Sequence, residues 1–330
     1  MKKVAIIVPV YNEEKNVPLL YRQLCAICAH INEIEWKFIF VDDGSSDASW
    51  SILTGLAMQD NRIEALSFSR NFGYQMALLA GYDAAVGVDA CITMDADLQH
   101  PPHVIGDLIK KWQEGYAIVY AQRTYRKESF LRKVTGNFYY KLLQKVAEVP
   151  LPADVSDFRL IDAAVHKIIM QCRDREPYLR GTIAWAGFSH TFVFFDPVER
   201  LHGVSGYNWK KLFKLAFDGI TQLSRFPLMV AAYVGVFVII TATLMLSYLA
   251  YNALFYETDY LLFKWLIVVV YGATGVQFLL MWLLGEYIGR IYIQLRDRPL
   301  YVIQSHIKNS DEEIQKAVQC VQTVSERKSL

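Results

Sequence analysis

Over the first 125 residues the apolar positions follow two alternating patterns. Short apolar runs at 4–10, 37–41, 64–67, 90–94 and 117–121 read as strands. Helix-length segments lie between them, at about 16–30, 47–57, 74–86 and 102–112. The first, second and fourth strands are nearly continuous in apolar residues, as strands covered on both faces are. This alternation predicts an α/β fold: a mostly parallel sheet with helices on both sides. Pro101 and Pro102 open the fourth helix, where a missing N–H costs little.

From 129 to 226 the pattern is less regular. Phe130, Leu131, Val134, Phe138, Leu142 and Val146 fall at helical spacing, with Arg126, Lys127, Arg132, Lys133, Lys141 and Lys145 around them. Trp209, Leu212, Phe213, Ala216, Ile220 and Leu223 repeat the arrangement against Lys210, Lys211, Lys214 and Arg225. Segments near 129–147 and 206–226 therefore read as basic amphipathic helices, either half-buried or lying in a membrane interface. The remainder of the chain favours the interface. No charge occurs over 226–256, and none over 265–285. At 1.5 Å per residue the second run spans about 30 Å, the thickness of a hydrocarbon core. Tyr248, Tyr251, Tyr256, Tyr260 and Trp265 crowd the connection as an aromatic belt would. Basic residues mark both outer flanks, Lys210, Lys211, Lys214 and Arg225 before and Arg290, Arg296 and Arg298 after. The positive-inside rule then puts both flanks in the cytoplasm. The expected organisation is a cytoplasmic domain at 1–225, two transmembrane helices within 226–289 (about 228–252 and 265–286), and a cytoplasmic segment at 290–330.

Composition changes this picture little. The chain has 330 residues, 53% of them hydrophobic, and a net charge of +1, which gives no general attraction to nucleic acid. The opening Met1-Lys2-Lys3 runs straight into a strand too short for a signal sequence, so the first domain is expected to stay cytoplasmic. Cys25 and Cys28 form a single Cys-x-x-Cys with no second pair to complete a zinc site, and read as small buried hydrophobes.

Candidate chemistry gathers at the strand ends. Asp95-Ala96-Asp97-Leu98-Gln99 follows the fourth strand. Ligands of open α/β sheets collect at such carboxyl ends. Two neighbouring carboxylates repel one another unless a divalent cation sits between them and a diphosphate; a solvated acidic turn is the plainer reading. Pro9-Val10-Tyr11-Asn12-Glu13-Glu14 closes the first strand and Asp42-Asp43-Gly44-Ser45-Ser46-Asp47 the second. Asp42 and Asp43 can accept hydrogen bonds from a nucleobase and a ribose hydroxyl, and Ser45, Ser46 or Asp47 can cap the next helix. Ser69-Arg70-Asn71-Phe72-Gly73 closes the third and brings a cation. His100 and His103 read as polar residues at a helix start rather than metal ligands.

These motifs, in this order, resemble family two inverting glycosyltransferases with the GT-A nucleotide-sugar fold. More narrowly the chain resembles polyprenyl-phosphate glycosyltransferases, the group of dolichyl-phosphate mannose and glucose synthases and bactoprenol glucosyltransferases. The resemblance covers about 3–305. It implies donor contacts at Pro9, Tyr11, Glu13 and Asp42, and a Mg2+ or Mn2+ ion held by Asp95 and Asp97 with Gln99 beside it. It puts Asp157, in Ser156-Asp157-Phe158-Arg159-Leu160, at the catalytic position. Arg200, in Glu199-Arg200-Leu201-His202-Gly203-Val204-Ser205, matches an acceptor-side motif; Gly206 stands where many members have Lys, a role Lys210 or Lys211 could take. Arg123, Arg126, Arg132, Lys133, Lys210, Lys211 and Arg296 could receive a lipid phosphate. The implied activity is transfer of a hexose, glucose foremost, from a nucleotide sugar (UDP-linked foremost) to polyprenyl phosphate with inversion, for cell-envelope glycan modification. The implied setting is a multi-pass protein of a bacterial inner membrane that contacts membrane lipid and binds no nucleic acid. A homo-oligomer stays open; Gly285 and Gly289 form one helix-packing pair. The rival readings are a processive polysaccharide synthase and a non-catalytic nucleotide-sugar sensor. Gln222-Leu223-Ser224-Arg225-Phe226 is a faint match to the processive enzymes' Gln-x-x-Arg-Trp motif, but only two spans come after it.

Overall fold

A computed structural model describes residues 1–124, 155–172, 174–175, 177–196, 226–255, 261–296 and 298–308. The proposed amphipathic segments at 129–147 and 206–225 lie outside the described residues, as does Arg200.

The chain divides into two compact units. In the first, the expected alternation appears as β1 (Lys2–Val10), α1 (Val17–Ala29), β2 (Ile34–Asp42), α2 (Ser49–Gln59), β3 (Ile63–Phe68), α3 (Tyr74–Ala84), β4 (Ala90–Thr93), α4 (Val104–Gln113) and β5 (Ile118–Arg123). It continues as β6 (Val155–Asp162), α5 (Ala163–Gln171), α6 (Leu179–Trp185) and β7 (His190–Phe195). Among the described residues one sheet forms in the order β7-β5-β6-β4-β1-β2-β3-β8, where β8 is Ile303–Lys308. Its centre, β4-β1-β2-β3, is parallel; β6 runs antiparallel to β4 and β5, and β8 antiparallel to β3.

Side-chain period explains the layering. Successive strand residues point to opposite faces. Val4, Ile6, Val8 and Val10 of β1 join Phe38 and Phe40 of β2 against α1, α2 and α4. Ala5 and Ile7 join Ile39 and Val41 against α3, α5 and α6. Every residue from Val4 to Val10 is buried, so the runs look continuous in sequence because both faces are covered. Gly81 of α3 lies so close to β1 that a Cβ there would sit 2.2 Å from the Ile7 Cγ2.

Two strands carry weak sequence signals. β6 alternates charged and apolar residues, and β8 is half exposed. β8 is held by side chains far along the chain. His306 pairs with Glu64 at 2.7 Å, Tyr301 stacks on Phe68 with ring centres 5.0 Å apart, and the Ser69 N–H donates to the Val302 carbonyl. The segment that comes after the apolar helices in sequence thus forms the edge of the sheet in the first unit.

The second unit contains α7 (Phe226–Phe255) and α8 (Leu261–Leu295), which touch one another. Val230–Asn252 and Trp265–Leu295 are long and apolar enough to cross a membrane, with mean hydropathy of 2.2 and 2.0. α8 runs past the expected end near 286 and carries a Glu286–Arg290 pair at 3.0 Å in its last turns. The hydroxyls of Thr241, Thr243, Ser247 and Thr274 donate to carbonyls four residues back, so they are satisfied within their own helices.

Candidate active site

The strand order reverses about β1, whose neighbours are β4 and β2. β4 pairs with β1 only as far as Thr93 opposite Ile7, whereas β2 stays beside β1 to Asp42 opposite Val10. The sheet therefore splits beyond Ile7, and a crevice opens at the carboxyl ends of the strands. Pro9 lies in the stretch past the last β4 partner.

Three loops frame one side of the crevice. The Asn12 N–H donates to Ser45 Oγ (2.9 Å), the Ser46 N–H to Asn12 Oδ1 (2.8 Å), the Glu13 N–H to Ser49 Oγ (2.9 Å) and the Glu14 N–H to Asp47 Oδ2 (3.1 Å). The loops after β1 and β2 are thus tied together. Glu13 Oε2 accepts from Asn16 Nδ2, and Tyr11 is left 49% exposed at the rim. Asp42 is buried and accepts from Ser67 Oγ (2.8 Å) and the Ser45 N–H (3.2 Å). Asp43 accepts from the N–H groups of Phe72 and Gly73 (2.7 and 3.0 Å). Burial pushes the Asp43 carboxyl up despite those bonds. Asp43 therefore secures the third loop. Gly44 has φ +68°, and a Cβ there would lie 2.5 Å from the Arg70 carbonyl carbon, so only glycine lets the second and third loops approach so closely.

The other side is the turn after β4. Asp95, Asp97 and Gln99 are half-buried, whereas Ala96, Leu98 and His100 are buried. Leu98 takes φ +62°, a left-handed conformation uncommon for a residue with a Cβ. The Asp95 N–H donates to His100 Nδ1 (3.1 Å), so the ring proton sits on Nε2, which faces Ser156 Oγ at 2.9 Å. Burial lowers the His100 pKa to about 4 and keeps the ring neutral. With both nitrogens engaged, His100 is a joint between the Asp95 turn and β6, not a metal ligand. Asp97 Oδ1 accepts from the Gln99 N–H (3.1 Å), and Gln99 Oε1 from Arg123 (3.3 Å).

Asp95 Oδ1 accepts from the Tyr74 hydroxyl at 2.6 Å. Its Oδ2 has no hydrogen-bond donor among the described residues, and the nearest histidine nitrogen is 3.7 Å away. Burial, aided by the nearby Asp157 charge, pushes the Asp95 carboxyl up, against the pull of Tyr74. A bare carboxylate oxygen in such a place suits a hard cation that draws its other ligands from a diphosphate and water. Among the described residues no group of three His, Cys, Asp or Glu side chains could hold a metal ion by itself.

Asp157 enters on β6 beside this turn. Oδ1 accepts from Arg159 Nη2 (2.6 Å) and Arg180 Nε (2.9 Å), and Oδ2 from Arg180 Nη2 (2.6 Å). Burial opposes its charge, but Arg180 and Arg159 outweigh burial and hold the carboxyl below the usual range. The carboxylate is thus a fixed anion. Arg159 is fully buried, and its Nε and Nη1 have no hydrogen-bond partner among the described residues. Sequence reasoning missed the roles of Tyr74, Arg159 and Arg180. The charge–apolar alternation at 157–160 was a usable signal for a strand with charges on one face; nothing local marks Arg180 on α6.

Residues 5–183 match the glycosyl transferase family 2 profile. The chain belongs to this family. It is 41% identical over 301 residues to the uncharacterized glycosyltransferase YkcC of Bacillus subtilis, covering 91% of this chain and 93% of that one. It is 38% identical over 309 residues to the bactoprenol glucosyl transferase of Shigella phage SfII, covering 93% and 99%. It is 36% identical over 303 residues to a prophage bactoprenol glucosyl transferase homolog of Escherichia coli, covering 92% and 98%. The protein is a glycosyltransferase with a GT-A sheet. Of the residues expected at its site, the structure brings Asp95, Asp97, Gln99 and Asp157 around one turn, and Pro9, Tyr11, Glu13 and Asp42 to the neighbouring strand ends.

Proposed function

We propose that this glycosyltransferase moves a glucosyl group from UDP-glucose to polyprenyl phosphate with inversion, at the cytoplasmic face of a bacterial membrane. The product is a polyprenyl-phosphate-sugar for cell-envelope modification. The observation that carries the reading is the pairing of the Asp95–Asp97 turn with the clamped Asp157. Near-full-length similarity to bactoprenol glucosyl transferases supports the acceptor and the sugar. Two helices long and apolar enough to span a bilayer support the membrane setting. On this reading α7 and α8 form a hairpin, and Tyr11, Glu13 and Asp42 face the nucleoside.

In the reaction a phosphate oxygen of the acceptor bonds to the anomeric carbon as the bond from that carbon to the nucleoside diphosphate breaks. Asp95 and Asp97 would hold a Mg2+ or Mn2+ ion, which would supply Lewis-acid stabilisation of the leaving diphosphate. The acceptor oxygen is already ionised at neutral pH, so no side chain has to remove a proton. Asp157 suits a different task. With Arg159 and Arg180 it makes a rigid trio of net charge +1, which orients an anionic acceptor against the sugar. Arg200 and Arg123 add positive charge for the lipid phosphate.

The test uses full-length protein in nanodiscs with labelled UDP-glucose, undecaprenyl phosphate and Mg2+ or Mn2+, beside a panel of other UDP- and GDP-sugars. One hexose on the lipid phosphate is expected. A saccharide chain, binding without turnover, or transfer in the presence of chelator would overturn the reading in its respective part.

A further inference from the structure

Tyr74 lies one residue beyond the motif Ser69-Arg70-Asn71-Phe72-Gly73, yet among the described residues its hydroxyl is the side-chain donor to Asp95. An ionised carboxylate can only accept, so the direction of this 2.6 Å bond is fixed. The donor is itself held in place. Tyr74 is the first residue of α3, and the N–H groups of Phe72 and Gly73 just before it both bond to buried Asp43. The other end of Asp95 is held too, through its N–H on His100 Nδ1. Main chain and side chain are thus each held by a hydrogen bond, and Oδ2 is left without a donor among the described residues.

We propose that Tyr74 is a positioning residue for the cation site: its hydroxyl sets the rotamer of Asp95 and reserves Oδ2 for the divalent ion. This inference rests on the reading of Asp95 as a cation ligand. Partners that hold a ligand in place are as much a part of a metal site as the ligand itself. A carboxylate free to rotate would have to be ordered when the ion arrives, at a cost in affinity. The second aspartate of the Asp42-Asp43 pair then acts on the cation site at a distance, through the start of α3.

The experiment compares wild type, Tyr74→Phe, Tyr74→Leu and Asp95→Asn, all full length in detergent with UDP present. Mn2+ binding is read from the loss of the free-ion paramagnetic resonance signal. Thermal unfolding and UDP binding without metal confirm the fold of each variant. Tyr74 is 36% exposed, and phenylalanine removes only its hydroxyl. Loss of one hydrogen bond to a charged group predicts Mn2+ binding weaker by about tenfold in both Tyr74 variants. In turnover assays the Mg2+ concentration for half activation rises by the same factor of about ten, while kcat at saturating Mg2+ stays within about twofold. Wild-type Mn2+ affinity in whichever Tyr74 variant folds, with binding lost in Asp95→Asn, would overturn the role of Tyr74 alone. No Mn2+ binding by the wild type would overturn the cation reading and this inference together.

Discussion

Phe38 and Phe237 carry the same side chain in opposite surroundings. Phe38 of β2 is fully buried between strands and helices, whereas Phe237 of α7 is 67% exposed. In the first unit, position along the chain sorts residues by face: even positions of β1 meet one helical layer and odd positions the other. In α7 no such sorting exists. Phe237, Ile239 and Ile240 are all exposed, although they point in different directions around the helix. A helix apolar on every side is stable where its surroundings are apolar too. Polar groups differ in the same way. Asp42, Asp157 and Glu64 find partners from distant parts of the chain, whereas the hydroxyls of α7 turn back onto their own carbonyls. One unit is built for water with a polar crevice at a strand boundary; the other suits a lipid interior.

The largest expected effect separates chemistry from architecture. Replacing Asp95 and Asp97 together by alanine should cut turnover by about a thousandfold, the scale of removing a main electrostatic element, while thermal unfolding of both units changes little. Retained sugar transfer to lipid would break the assignment of the crevice. Asp157→Asn should lower kcat by about a hundredfold with UDP affinity nearly intact. It should also lower stability, because a buried Arg159 would lose its counter-charge, a change that typically costs about 3–5 kcal/mol. Kinetics and calorimetry on one preparation would read both; equal loss of donor affinity and rate would argue against an acceptor-side role.

Phe38→Ala sharpens the contrast directly. It should destabilise the sheet unit by about 3–5 kcal/mol, measured by denaturant unfolding in detergent. Acid should act on the same unit. His100 is neutral and buried with a pKa near 4, and burial lowers His166 as well. An unfolded histidine titrates near 6.5, so between about pH 6.5 and 4 the unfolded chain binds protons the folded one does not. Stability from these residues is complete above that window. For His100 it falls as pH drops through it, by up to about 1.4 kcal/mol per pH unit, and His166 adds a loss of the same sign. His100→Gln, which keeps an acceptor and a donor, should flatten the acid limb of a thermal melt. Phe237→Ala should do least, within about 0.5 kcal/mol for the sheet unit, as for surface changes; a loss as large as that of Phe38→Ala would contradict the division into two surroundings.

Periodicity and local motifs by themselves determined the first five strands, the four helices between them, the two apolar helices and the acidic turn after β4. These depend on residues close in sequence, and apolar runs and charge-free stretches are strong local signals. Tertiary structure alone decided the rest. β6 has to carry Asp157 and Arg159 into the interior, so it does not look like a buried strand until Arg180 is seen across from it. β8 earns its place through His306 on Glu64 and Tyr301 on Phe68, contacts that span most of the chain. The tasks of Asp43, Tyr74 and His100 come from which groups lie within 3.2 Å of them, and that depends on how three loops close over the end of one sheet. Charge and period say which residues are available; the pairing of buried polar groups, which are costly to leave unsatisfied, says what each one does.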